Sequence, residues 1–216
     1  APHDIDGDGK PDLALGADWQ GGNTQSAGTI QWIGRNPLGP SEPWFRTPIG
    51  EEPTTHRMRW GDVVGDGRPE LIVMPLHGRG TRPPEWEGKG ARVMVYSIPA
   101  DPRKDPWPLE IADESQHIIH NFLVANLDPD PQREIITASK EGVFLLHRET
   151  GGKWSKTKLG EGSPGEIKLG QVGPSSYLAA IEPWHGNKLV LYKQTPGLWE
   201  REVVTDQLSE GHALAW

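Results

Sequence analysis

The chain has no cysteine. That absence excludes a disulfide framework, a zinc–thiolate site, an iron–sulfur cluster and a cysteine nucleophile. It also has no excess of positive charge. With 22 Lys and Arg against 30 Asp and Glu, the formal net charge is -8, which excludes a phosphate-tracking nucleic-acid binder. No run approaches the roughly 18 consecutive apolar residues of a membrane-spanning helix. The N-terminal Ala1-Pro2-His3-Asp4 is not a signal peptide. It is expected either to follow a removed leader or to lie inside a longer chain. No helical period of useful length appears, and the motifs GxSxG and HExxH are missing, which disfavours a classical hydrolase.

What the sequence does have is punctuation and tryptophan. Among 216 residues there are 27 Gly, 21 Pro and 10 Trp. Disordered chains rarely carry so many indoles, so the Gly and Pro read as joints between short elements. One Trp recurs in a similar context: Trp44 in EPWFRTPIG, Trp107 in DPWPLEIAD, Trp154 in GKWSKTKLG and Trp199 in GLWEREVVT. An alternating segment precedes each, at 28–35, 91–98, 142–149 and 188–195. Before those lie apolar runs at 12–19, 70–77, 134–141 and 178–185. A fourth kind of segment starts at His56, His120, Gly165 and His212. Residues alternating at period two, rich in β-branched and aromatic types, predict strands.

Four strands per repeat of about 54 residues is the signature of β-propeller blades. The expected fold is therefore all-β, an array of four-stranded antiparallel blades. The expected organisation is a single propeller domain or propeller fragment with repeats at about 1–55, 56–119, 120–164 and 165–211. Call the strands of a blade A to D, with A innermost. The chain begins just past the place of a first strand A and ends on HALAW at 212–216. Two readings stay open: that final strand completes the first blade and closes four blades alone, or the four belong to a larger propeller.

The sharpest motif lies between strands A and B. Asp4, Asp6, Asp8 and Asp12 occupy positions one, three, five and nine of a loop, with Gly7 and Gly9 between them and Lys10 able to add its backbone carbonyl. Such a loop suits a hard cation that takes six to eight oxygens. The third repeat carries Asn126, Asp128, Asp130 and Glu134, with Gln132 in the place of Lys10. The second carries Asp62, Asp66 and Glu70, but Val64 stands at the third position. The fourth has lost the set. Structural Ca²⁺ is the expected occupant, and an Asx-turn satisfied by its own side chains is the plain alternative.

Histidines gather at the other end of the blades. His56, His120 and His212 start A strands, and His77 and His185 end B strands. Trp19 and Glu141 take the B-end place in the remaining repeats, and Trp184 precedes His185. Imidazoles bind transition metals such as Zn²⁺ and act as acid and base near neutral pH. Indoles offer flat faces to sugar rings. The plain alternative is repeated packing of the histidines against loop carbonyls. A basic, Pro-rich B–C loop at 77–90 extends the same face and offers Arg79, Arg82 and Trp86 as contacts. Weaker candidates are Lys140, Arg57, Arg59 and His117. His147 is expected on an outer strand.

The acidic loops resemble the FG-GAP or VCBS class of propeller repeats over essentially the whole chain. That class holds adhesion modules, lectins and enzymes, mostly secreted, periplasmic or on the cell surface, and the resemblance implies such a location. The runs VMPLHGRG, SQHIIHNF and SKEGVFLLHR are similar to the propeller domain of the aldos-2-ulose dehydratase (anhydrofructose dehydratase) group. Its enzymes eliminate water from keto-sugars at a metal-assisted site, and the fungal enzyme adds cupin domains to a seven-bladed propeller. The resemblance implies a carbon–oxygen lyase with His56, His120, His77 and His185 as ligands or base and Glu141 as a second acid–base group. Trp19, Trp184, His212 and Arg79 would contact a carbohydrate or small-molecule ligand. The competing reading is a non-catalytic carbohydrate- or protein-binding module, and further domains of a longer chain are expected partners.

Overall fold

The computed structural model describes residues 1–39, 41–173, 175–195 and 198–215. Four antiparallel four-stranded sheets follow one another along the chain, each running from its first strand to its last in order. The first holds β1 (Pro2–His3), β2 (Asp12–Ala17), β3 (Thr29–Gly34) and β4 (Phe45–Glu51). The second holds β5 (Thr55–Gly61), β6 (Glu70–Pro75), β7 (Ala91–Tyr96) and β8 (Leu109–Gln116). The third holds β9 (Ile119–Ala125), β10 (Glu134–Ser139), β11 (Gly142–Arg148) and β12 (Trp154–Gly160). The fourth holds β13 (Glu166–Val172), β14 (Ser175–Glu182), β15 (Lys188–Thr195) and β16 (Leu198–Thr205). No helix occurs among the described residues, and none is long and apolar enough to cross a membrane. These are the blades of a β-propeller.

The stacking follows from side-chain alternation. Along a strand, successive residues point to opposite faces. In β6, Leu71 and Val73 turn toward the first sheet, where they join Ala14, Ile30 and Trp32. Ile72 and Met74 turn the other way and join Ile119, Phe122, Ile135 and Leu146 of the third sheet. Every residue of β6 is therefore buried. β10 is buried in the same way: Ile135 serves the core with the second sheet, and Ile136 and Ala138 serve the core with the fourth. Three cores thus lie between four sheets. The inner strands pack in sequence, β2 on β5, β5 on β9 and β9 on β13. No comparable packing joins the fourth sheet to the first among the described residues. The first sheet accordingly leaves one face open, where Leu13 and Leu15 stand 42% and 46% exposed.

The recurrent Trp residues mostly seal these cores. Trp107 is buried, and Trp154 and Trp199 pack on the second–third and third–fourth interfaces. Trp44 remains on the surface beneath Arg35, whose guanidinium carbon lies 4.7 Å from its ring centroid.

One expected strand is absent. Residues 212–215 form no strand, and Trp216 lies outside the described residues. The edge of β2 that HALAW was to pair with is already occupied by β1, with Pro2 opposite Leu13 and His3 opposite Asp12. The pairing extends to Ala1, whose carbonyl accepts Ala14 N–H at 2.8 Å and Trp60 Nε1–H at 3.2 Å.

Candidate functional site

The site lies where the inner strands begin. Each A strand is hydrogen-bonded to its own B strand, so residues at the start of A and the end of B share one end of a blade. Adjacent A strands then bring equivalent positions of neighbouring blades together. His56 enters on β5, His120 on β9, and His185 just beyond β14. Their rings meet. The His120 and His185 centroids are 4.8 Å apart, His56 and His120 5.1 Å, and His185 and His212 4.1 Å. Trp184 meets His120 edge-on at 5.3 Å. Trp19 stands at the rim, 52% exposed, with its ring 6.3 Å from His56. The cluster grades from buried His120 to exposed His185 and His212.

Two polar details fix its chemistry. His120 Nδ1 is hydrogen-bonded to the Gly165 carbonyl. A carbonyl only accepts, so the proton sits on Nδ1 and Nε2 keeps its lone pair. That Nε2 lies 3.3 Å from Nε2 of His185, which therefore carries its ring proton there and donates it. Burial lowers the pKa of both His120 and His185, and it brings His56 down to about 4. These rings are therefore neutral near pH 7, with lone pairs able to take a proton or a metal. Trp184 is held at φ 47°, a left-handed conformation that costs a non-Gly residue energy.

The other expected residues are placed elsewhere. His77 is buried and stacks on Trp86 of the 77–90 loop, ring centroids 3.6 Å apart and nearly parallel. It is a covered neighbour of His56 rather than an open member of the cluster. Glu141 does not reach the cluster. Its carboxylate takes His117 Nδ1 at 2.6 Å and the His117 N–H at 3.1 Å, and the His117 Nε2 lies 3.2 Å from the Gly88 carbonyl. Lys140 reaches the same loop through the Glu85 carbonyl and Glu87. This pair and this lysine pin the loop from the third blade. Arg79 turns to Glu52 at 2.9 Å, and Arg82 is exposed. His147 approaches Glu134 at 3.5 Å.

The carboxylate that accompanies the histidines is Glu166, which the sequence analysis does not single out. It is buried, accepts from Asn121 and from Lys168 at 2.8 Å, and its charge acts on His185. Arg59 continues the row, donating to Asn121 Oδ1 at 2.9 Å and to the Phe122 carbonyl at 2.7 Å. The signal was present: Arg57, Asn121 and Glu166 each follow the residue that opens an A strand.

Burial of His77 has a measurable consequence. Its pKa is pushed down to about 4 by desolvation alone. Between pH 6.5 and 4 the unfolded chain binds the extra proton, so stability falls as pH falls through that window. At about 1.4 kcal/mol per unit, the loss should approach 2 kcal/mol by about pH 5. Denaturant melts at pH 7 and 5 test this, and His77→Phe should shrink the difference by that amount, leaving the share contributed by His56.

At the opposite end of the blades stand the acidic loops. Asp4, Asp6 and Asp8 bring carboxylate oxygens within 4.8 Å of one another, as do Asp128, Asp130 and Glu134. Gly7 and Gly9 make the first loop with φ of 74° and 81°, backbone that other residues rarely adopt. Asp12 and Glu134 are buried and each takes a loop N–H, from Ile5 at 3.3 Å and Leu127 at 2.8 Å. Asp4 Oδ1 and Glu134 Oε1 are buried with no well-formed hydrogen bond among the described residues, His147 Nδ1 standing 3.5 Å from the latter. Lys10 pairs with Asp8, and Arg103 of the turn between β7 and β8 pairs with Asp6 at 2.8 Å. Asn126 aims its amide N–H at the Asp130 and Gln132 carbonyls. The Gln132 side chain donates to the Arg148 carbonyl.

The second loop differs. Asp62 is saturated by the N–H groups of Gly65, Asp66 and Gly67, and Asp66 pairs with Arg68. Glu70 takes Val63 and Val64 N–H. With Val64 in place of a carboxylate, these three form no ligand cluster, and the loop is an Asx-type turn.

The aldos-2-ulose dehydratase β-propeller domain model matches residues 27–195. The chain belongs to that family. The FG-GAP repeat model matches residues 1–31, the segment with the first acidic loop. Aldos-2-ulose dehydratase of Phanerodontia chrysosporium is 25% identical over 190 residues, covering 79% of this chain and 20% of that protein. The chain thus spans about a fifth of the relative's length. The matched residues include four of the clustered aromatic positions, His56, His120, Trp184 and His185, and leave out β1, β2 and β16.

Proposed function

We propose that this propeller serves carbohydrate chemistry, with the His56–His120–His185 mouth as the place where a keto-sugar is bound and dehydrated. The observation that carries the reading is the pair of imidazole nitrogens 3.3 Å apart, one fixed as an acceptor by the Gly165 carbonyl and the other holding a bridging proton that an ion would replace. That separation fits the edge of a tetrahedron with metal–nitrogen bonds of about 2.0–2.1 Å, and the carbonyl partner is what a ligating imidazole usually has behind it. His120 and His185 would hold the ion, with Zn²⁺ as the first choice. A bound divalent ion would supply polarisation of the substrate carbonyl. Neutral His56 takes the proton from the carbon beside that carbonyl. The electron pair released forms the new C=C bond, the hydroxyl on the adjacent carbon leaves, and the proton joins it as water. Trp184 and Trp19 flank the sugar ring. Burial and His212 keep His185 neutral, and the charge of Glu166 opposes them only in part.

The alternative is a binding propeller without chemistry. It is favoured by one observation: no third nitrogen or carboxylate joins His120 and His185 within 4.8 Å among the described residues. Elemental analysis of the purified protein, paired with a keto-sugar turnover assay, separates the two. Stoichiometric transition metal with release of water supports the lyase. Sugar binding without metal or turnover supports the module.

Calcium is the proposed occupant of the first and third acidic loops, supported by the orphaned oxygens of Asp4 and Glu134. Calcium at about 100 times its Kd should raise stability by about 2.7 kcal/mol per site. A thermal melt with and without chelator reads this out, and an unchanged midpoint would refute it. Such loops suit the calcium-rich exterior, so we place the protein outside the cytoplasm, as a secreted, periplasmic or cell-surface component.

A further inference from the structure

A cavity of about 400 Å³ opens beside the 77–90 loop, lined by Arg79, Gly88, Lys89, Gly90, Arg92 and Glu114. In a chain of net charge -8, three cations meet here. Beneath them lies Glu52, wholly buried. Arg79 Nε and Arg92 Nη2 both donate to the same oxygen of Glu52, its Oε2. Glu52 answers both guanidiniums, and Glu114 in the lining also acts on Arg92, so Arg79, Arg92 and Lys89 against these two carboxylates leave one positive charge over. Arg92 Nε is buried with no acceptor, and Glu52 Oε1 has no donor. Lys89 is exposed and makes no ion pair among the described residues.

We infer that this cavity binds a small oxyanion, a carboxylate or a phosphate carried on a sugar-sized molecule. A forked guanidinium matches either group geometrically, and charge-assisted bonds of this type are the strong ones. Glu52 holds the two forks in place, as a buried partner pre-orders a binding group. Gly88 leaves its stretch of wall free of a side chain, with only the Thr81 methyl 3.9 Å from where a Cβ would stand, while Gly90 packs against the Glu114 backbone. The site is separate from the imidazole cluster and does not depend on the dehydration reading.

The test is an NMR titration of the labelled chain with inorganic phosphate, with glucuronate, and with glucose as the neutral control. The expected result is a saturable shift of the Arg79 and Arg92 side-chain N–H signals with at least one anion and none with glucose. Phosphate alone would mark a phosphorylated ligand, and glucuronate alone a sugar acid. Lys89→Ala, a surface change, should weaken binding about fivefold, the worth of one solvent-screened charge at contact distance. Arg79→Gln should weaken it further. Silence from both anions, an equal response to glucose, or affinity indifferent to both variants would overturn the proposal.

Discussion

On the proposed dehydration, His120→Ala should lower keto-sugar turnover by roughly 10²- to 10⁴-fold, the usual worth of a positioned acid–base or ligand group. The size of the effect follows from its place. His120 is the one ring in contact with all the others: His56, His185, His212 and Trp184 lie 5.1, 4.8, 6.1 and 5.3 Å from it. Its removal takes away the fixed Nε2 and the partner of His185 together. Exposed His212, which touches only the outer side of the cluster, should cost much less. The split between kcat and KM distinguishes chemistry from binding. A His120→Ala protein that keeps full turnover would remove the mouth from the mechanism.

Glu52→Ala should destabilise the fold by about 1.5–3 kcal/mol, the worth of hydrogen bonds to a charged group, since the guanidiniums left behind are 40% and 29% exposed and partly screened by solvent. Two guanidiniums would remain, Arg79 and Arg92, neither paired to another carboxylate, with the more distant Glu114 acting on Arg92 alone. The backbone around Glu52 has no slack to relax. Its N–H bonds the Gly28 carbonyl at 2.7 Å, and its own carbonyl takes the Thr55 hydroxyl at 2.7 Å. Gly28, at φ 78°, lies so close that a Cβ there would overlap the Glu52 carbonyl. Urea unfolding measures the loss, and the m-value shows whether the native state stayed compact. A change below about 1 kcal/mol would mean that solvent already screens the triad.

Much of the fold was legible because each blade is a local object. Strands A to D are consecutive, so period-two alternation and the Gly and Pro between runs announce them without long-range information. The burial of β6 on both faces was equally readable, since ELIVMP contains no polar alternation. HALAW failed as a strand because pairing is a competition for an edge, and β1 had filled it. Sequence alone weighed HALAW's own pattern and could not see that competitor.

The histidine face was legible as a set of equivalent repeat positions, and His56, His120, His185 and His212 do meet. His77 and Glu141 occupy equivalent positions too, yet loop 77–90 changes their fate. Trp86 covers the first, and His117 captures the second. An insertion in one repeat breaks the symmetry on which the inference rested. Glu166 was overlooked for the converse reason: it stands where Arg57 and Asn121 stand, but only its side chain is acidic. In the second acidic loop, Val64 signalled the loss of a ligand, and the structure shows the backbone taking Asp62 instead.

The single-file packing of the inner strands also dictates an order of events. Each sheet closes from neighbours in sequence and needs no distant segment to form. The mouth has no such independence, because His56, His120 and His185 are contributed by the second, third and fourth sheets. It comes into being only when three finished blades have docked at the right pitch. The imidazoles therefore act as a gauge of that docking. A change that tilts one blade by a fraction of an ångström at its core would open the 3.3 Å pair before it registered as a loss of strand structure.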